Sequence, residues 1–129
     1  MAGTIVLDGS AMFAILLNEP EAGACAIALA EADNVLLSAG SLAEILIVAV
    51  RKGLAEEAEA FLAAVQPSIV PVTTERAYAA HDGYRRWGKG FHAAKLNLGD
   101  SFAYALAMEV GCPLLFVGND FAQTDVLSP

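Results

Sequence analysis

Asp8, Glu44, Asp100 and the pair Asn119-Asp120 are the residues of this chain whose types and positions could do chemistry together. Asp8 closes the run Thr4-Ile5-Val6-Leu7, four residues suited to a buried strand. Gly9-Ser10-Ala11 then lets the backbone turn into an apolar helix that Ser10 is positioned to cap. Asn119 and Asp120 follow a second apolar run, Pro113-Leu114-Leu115-Phe116-Val117, while Glu44 and Asp100 fall in the first turns of predicted helices. In an open parallel sheet the ligand crevice lies outside the carboxyl ends of the strands, where strand order reverses. One fold could therefore bring all of these acids to one edge.

Each acid also has a local reading. Ser41-Leu42-Ala43-Glu44 has the form of a capping box, Asp100 after Gly99 that of an N-cap, and Asp120 that of a turn residue. The cost of assembly separates the two kinds of reading. Carboxylates about 4 to 5 Å apart repel by roughly 3 to 4 kcal/mol per pair at an effective dielectric near 20, so a cluster of three or four either raises its own pKa values or binds a cation. Ligation by oxygen alone, without Cys or His, points to a hard ion, Mg²⁺ or Mn²⁺. Such an ion supplies what phosphodiester hydrolysis requires: a water of lowered pKa, a polarised non-bridging oxygen and a steadied leaving alkoxide.

The elements that must position these acids alternate between strand and helix. After the first strand come a short buried helix over 11–17, a helix start at Asn18-Glu19-Pro20-Glu21 running to about Ala32, and a strand over 35–38. Helices over 41–52 and 54–66 follow, then an edge strand over 68–72, a helix from Thr73 or Thr74 to Trp87, a loop, and a last long helix opened by Leu98-Gly99-Asp100-Ser101 and ended by Gly111. Strands alternating with helices imply a parallel α/β sheet.

At 129 residues the chain is expected to form one domain, 1–129. Hydrophobic residues make up 57% and charged residues 17%, which predicts a well-filled core and an apolar surface that another chain covers. No apolar stretch reaches the roughly 20 residues of a membrane helix, and no signal peptide is recognisable, so a cytoplasmic location without membrane contact is expected. Cys25 and Cys112 form no C-x-x-C and read as buried thiols. The net charge of −8 argues against indiscriminate nucleic-acid binding. All seven basic residues nevertheless lie between Arg51 and Lys95. A local basic face beside an acidic centre suits a nuclease that holds a cation between itself and its substrate.

With these residues in view the sequence resembles the PIN-domain ribonucleases, and most closely the VapC toxins of bacterial toxin–antitoxin pairs. The resemblance rests on Val6-Leu7-Asp8-Gly9-Ser10-Ala11, Asn18-Glu19-Pro20-Glu21, the Glu44 helix, the stretch from His92 to Ala105 with Asn97-Leu98-Gly99-Asp100-Ser101 at its centre, and Leu114 to Phe121. It implies a three-layer PIN-like fold, a central parallel sheet of four to five strands flanked by helices. It further implies a Mg²⁺-dependent endoribonuclease, with Mn²⁺ as substitute, in which Asp8, Glu44 and Asp100 bind metal and Ser10 orients Asp8 or a bound water. Structured RNA, commonly tRNA or ribosomal RNA, is the implied substrate, a VapB-type antitoxin the implied inhibitor and a homodimer the implied assembly.

The chain departs from the family pattern at Asn119, where many relatives carry Asp. Either Asp120 supplies the fourth charge, the preferred reading, or the site has three strong acids and a looser second ion. The rival function is a catalytically weakened PIN-like binding protein that sequesters antitoxin or RNA without turnover. A phosphate-receiving signalling domain also places an Asp after a parallel strand, but the paired acids near Asp8 and the late Lys are missing.

The segment from Tyr84 to His92 holds three cations, Arg85, Arg86 and Lys89, among the rings Tyr84, Trp87, Phe91 and His92. Cations hold phosphates and rings stack on unpaired bases, the usual grip on single-stranded RNA. The alternative is that Tyr84 and Trp87 close a helix onto the core while the charges are solvated. Gly83 to Gly90 also matches most of a P-loop, but Gly90 lacks the hydroxyl and the segment follows a helix pattern.

Overall fold

The computed structural model describes residues 3–129. Strand β1 (Thr4–Leu7) is followed by helices α1 (Gly9–Leu16) and α2 (Ala22–Glu31), strand β2 (Asn34–Ser38), helices α3 (Ala39–Arg51) and α4 (Ala55–Val65), and strand β3 (Ser68–Val70). Helices α5 (Thr74–Trp87) and α6 (Leu98–Val110), strand β4 (Leu114–Leu115) and a 3-10 turn (Phe121–Gln123) complete the chain. The four strands are all parallel, in the order β3-β2-β1-β4.

The side-chain period of two assigns each strand residue to a face. Ile5, Leu7, Leu37 and Leu115 pack with Met12, Cys25, Ile45 and Ala58 from α1 to α4. Val6 and Leu114 pack on the other face with Leu96, Cys112 and the α6 stripe Ala103, Tyr104, Leu106 and Ala107. Helices thus cover both faces, giving the three layers expected. The chain steps outward from β1 to β2 to β3 with α1 to α4 on one face, then returns through α5 and α6 on the other to set β4 beside β1. Right-handed crossovers change face when their direction along the sheet reverses. The reversal lies between β1 and β4, so the crevice opens where Asp8 leaves one strand and the chain from Phe116 to Asp120 leaves the other.

Several boundaries differ from the sequence expectations, each for a physical reason. Ser10 does not cap α1: Asp8 is the N-cap, and its carboxylate accepts from the Ser10 N–H. The capping box expected at Ser41-Leu42-Ala43-Glu44 is absent, because α3 already starts at Ala39 with Ser38 as its cap. Asp100 is likewise not the N-cap of α6 but its third residue, in a reciprocal capping box with Asn97. Pro20 lies before α2, since Asn18 takes a left-handed φ of 52° and the helix begins only at Ala22. β3 is an edge strand as expected but ends at Val70, before Pro71. β4 is limited to two residues because its neighbour β1 turns away into α1 after Leu7.

Gly83 is buried within α5 against the Tyr104 ring, so the P-loop-like segment is helix as far as Trp87 and not a loop after a strand. Cys25 and Cys112 are buried free thiols. Among the described residues no helix is long and apolar enough to cross a membrane. Leu37 is fully buried at the centre of the sheet. Leu37→Ala is expected to lower the unfolding free energy by about 3 kcal/mol with little change in urea m-value, as measured by equilibrium denaturation.

Candidate active site

Asp8 is the most enclosed of the candidate acids, only 4% exposed. Its Oδ2 accepts from the Ser10 backbone N–H at 3.0 Å and from Ser10 Oγ at 2.6 Å. Ser10 Oγ in turn accepts from the Val117 N–H at 3.0 Å. The chain leaving β4 is therefore tied through one hydroxyl to the carboxylate leaving β1, across the point where strand order reverses. This is a more specific task for Ser10 than capping. Burial pushes the Asp8 carboxyl above the usual range; the hydrogen bonds from Ser10 and the Gly9 N–H oppose the shift and the charge of Asp120 adds to it.

Glu44 reaches the same place from α3. It sits in the second turn, half-buried, and its carboxyl is raised first by desolvation and then by the negative charge of Asp8. Its carboxylate occupies the space over the Cα of Gly99, so any side chain at 99 would overlap it. Gly99 thus lets the first turn of α6 approach Glu44, and a side chain there would displace the carboxylate from its present position. One turn earlier on the same face of α3, Ser41 is buried and its Oγ has no hydrogen-bond partner among the described residues.

Asp100 enters from α6. Its Oδ2 accepts from the Asn97 N–H at 3.0 Å, while Asn97 Oδ1 accepts from the Asp100 N–H at 2.8 Å. Its carboxyl is pushed up to about 7, by desolvation first, against the Asn97 hydrogen bond, and then by Asp8, Glu44 and Asp120 in turn. Asp120 is exposed at the start of the 3-10 turn and near enough to raise both Asp8 and Asp100. Asn119 is exposed in the bend before it.

Four carboxylates from four separate chain segments therefore share one electrostatic environment. Their donor set is oxygen only, their charge is uncompensated, and Asp8, Glu44 and Asp100 all favour protonation. A hard divalent cation fits these residues. Among the described residues, no three His, Cys, Asp or Glu side chains stand close enough to form a closed ligand shell. The Asp100 carboxylate is instead turned to its own helix cap. Asn97 and Gly99 escaped the sequence reading as site residues, although the spacing Asn97-x-x-Asp100 is the signal of a capping box.

The basic segment is divided by the fold. Trp87 is part of the interior: its Nε1 donates to Tyr104 Oη at 2.9 Å, and Tyr104 Oη donates to Asp125 at 2.6 Å. Arg86 lies 5.0 Å from the Trp87 ring centroid and 3.7 Å from Asp125, on the side of the C-terminal segment. Arg85 is exposed on the last turn of α5, and Lys89 is exposed in the loop that follows. Tyr84 and Phe91 meet edge to face with centroids 6.0 Å apart.

Comparison with known proteins gives one consistent family. A family model described as "PIN domain" matches residues 5–127. Ribonuclease VapC30 of Mycobacterium tuberculosis is 40% identical over 126 residues, covering 95% of this chain and 95% of its own length. Among solved structures, VapC20 of Mycobacterium tuberculosis, described as a Sarcin-Ricin loop cleaving toxin, has a TM-score of 0.77 at 17% identity and covers 97% of this chain and 98% of that one. A toxin-antitoxin complex from Klebsiella pneumoniae has a TM-score of 0.70 at 16% identity, covering 97% and 96%. The structural likenesses speak for the fold alone.

The raised carboxyl of Asp100 makes stability depend on pH. Between the unfolded value near 4 and the folded value of about 7, the native state holds a proton that the unfolded chain has lost. Its stabilisation is complete below the lower value and is lost as pH rises through the upper one. Melting temperatures in EDTA are expected to fall across that window, and Asp100→Asn is expected to flatten this part of the pH profile.

Proposed function

The chain belongs to the PIN domain family, in its VapC branch, and from that membership we propose that it is a Mg²⁺-dependent endoribonuclease toxin that cleaves structured RNA, tRNA or ribosomal RNA. The observation that carries the reading is the convergence of Asp8, Glu44 and Asp100, each with a raised pKa, at the crevice where strand order reverses. Asp8, Glu44 and Asp100 would hold the cation, with Mn²⁺ able to replace Mg²⁺, and Asp120 would add charge from the rim. A bound divalent cation would neutralise the acids, polarise a phosphoryl oxygen and lower the pKa of water.

The chain's own residues do the positioning. Ser10 fixes one oxygen of Asp8 and holds the Asp120 turn against it through the Val117 N–H. The Asp100 carboxyl, raised to about 7, is partly protonated near neutrality, and a cation held beside it would favour its charged form. Gly99 leaves room for the Glu44 carboxylate at the start of α6. Arg85 and Lys89, with Arg86 beyond them, would hold the phosphates of an RNA strand. A VapB-type antitoxin and a homodimer are the proposed assemblies, supported by the toxin-antitoxin complex among the structural neighbours and by exposed Ile27, Ile47 and Val50 on α2 and α3.

Neutral Asn119 and the open arrangement of the acids favour a second reading, a PIN-like protein that binds RNA or antitoxin without turnover. Cleavage separates the two. Purified protein with total bacterial RNA is expected to produce discrete fragments in Mg²⁺ but not in EDTA, and an Asp100→Asn variant of unchanged fold is expected to produce none. Binding without cleavage under any divalent ion would establish the second reading instead. Replacing Arg85 and Arg86 together with Ala is expected to reduce the slope of log K against log salt by about 1.5; an unchanged slope removes both from the RNA surface.

A further inference from the structure

A cavity of about 350 Å³ lies between α5 and the start of α6, against the face of α6 that carries Leu98 and Phe102, with Asp100 on the opposite face of the same turn. Its walls are apolar: Tyr84, Phe102, Leu98 and Ala77. Its polar side chains are His81, Lys89 and Asn97, beside the Tyr84 hydroxyl. Leu98 stands 69% exposed in the helix turn that also carries Asp100, so a large apolar side chain is held in water at the mouth of the cavity. We propose that this cavity receives one unpaired base of the RNA substrate, next to the phosphate at the acids.

Three features select a base as the occupant. The slot has aromatic rings in its walls, and those of Phe102 and Tyr84 are held in place. The Phe102 ring lies over Gly40, where a Cβ would approach it to 2.6 Å, which ties the ring to the helix that carries Glu44. Tyr84 is held by the edge contact with Phe91 and by its Oη donating to the Lys89 carbonyl at 3.4 Å. Flat apolar walls of this kind accept a planar base of any identity.

The second feature is charge. Lys89 is a cation at the cavity whose ammonium makes no ion pair among the described residues, suited to the phosphate that must accompany a base. Among the site acids, Asp100 is joined to the cavity through its reciprocal hydrogen bonds with Asn97. The third feature is Asn97. Its Oδ1 is committed to the Asp100 N–H, which leaves its Nδ2 as a donor toward a base edge. One residue thus joins the cavity to the site acid, and a base seated there would orient the strand relative to Asp100. The larger cleft between α5 and α6, about 780 Å³, is lined instead by the Arg76–Glu109 ion pair, Asp82 and Arg86 and includes none of the site acids.

This assignment rests on the nuclease reading for its account of the neighbouring phosphate, and its test is independent of turnover. Ala77 is exposed on α5, so Ala77→Phe fills the cavity from outside without disturbing the core. The probe is a short single-stranded RNA carrying one 2-aminopurine, mixed in Mg²⁺ with Asp100→Asn protein so that it stays intact. Quenching of the 2-aminopurine is expected on binding. Adding Ala77→Phe is expected to abolish the quench and weaken binding about tenfold at an unchanged melting temperature.

Quench and affinity that survive Ala77→Phe overturn the proposal, as does RNA binding without quench at any labelled position. Sedimentation velocity supplies the other decisive outcome: if Ala77→Phe dissociates a dimer, the cavity is a contact between copies and the base site is wrong. Absence of cleavage by the unmodified protein with the quench intact removes the nuclease and leaves the base site standing. Cleavage without any quench does the reverse.

Discussion

The structure depends on a buried carboxylate that must be held without a counter-charge from the protein. Asp8 is enclosed at the end of the central strand, and the groups that receive it are two N–H donors and one hydroxyl, all neutral. Leaving a carboxylate so placed unpaired is among the most expensive arrangements a core can contain. Ser10 limits that cost, and in doing so it joins β1 to the chain that leaves β4. The same hydroxyl that donates to Asp8 also accepts from the Val117 N–H, and so holds the chain that leads to Asn119 and Asp120. Stability at this edge and the shape of the site are consequently one problem.

A second constraint follows from the number of acids. Burial raises Asp8, Glu44 and Asp100, and each then raises at least one of the others or is raised by it. Asp100 meanwhile has a task in its own helix. Its bond to the Asn97 N–H satisfies one of the first unpaired donors of α6. A cation would offer the carboxylate a stronger partner than that N–H. The start of α6 is therefore the place where helix capping and ligand binding compete for one side chain.

Much of the scaffold was legible in the residues. The alternation of apolar strands with amphipathic segments identified every strand and helix, and Gly53 and Gly111 marked the helix ends they occupy, with φ of 71° and 73°. Boundaries were less legible where a choice of cap decided them. Ser38, Ser41 and Glu44 all carry capping chemistry, and local pattern does not distinguish which serine the chain uses; the strand β2 ending at Ser38 does. The role of Trp87 was equally ambiguous until Tyr104 and Asp125, 17 and 38 positions away along the chain, arrived to bind its ring nitrogen and extend the network.

By itself the sequence determined the element types, the position of Asp8 at a strand's carboxyl end and the oxygen-only character of the candidate donors. These follow from side-chain period, turn chemistry and residue type, which act over a few residues. Only the tertiary structure decided that α5 and α6 cross back to place β4 beside β1, that Gly99 yields its space to Glu44, and that Lys89 and Arg86 face different cavities. Those relations join positions tens of residues apart, and what sets them is the order of the strands and the packing of side chains between layers, neither of which local pattern contains.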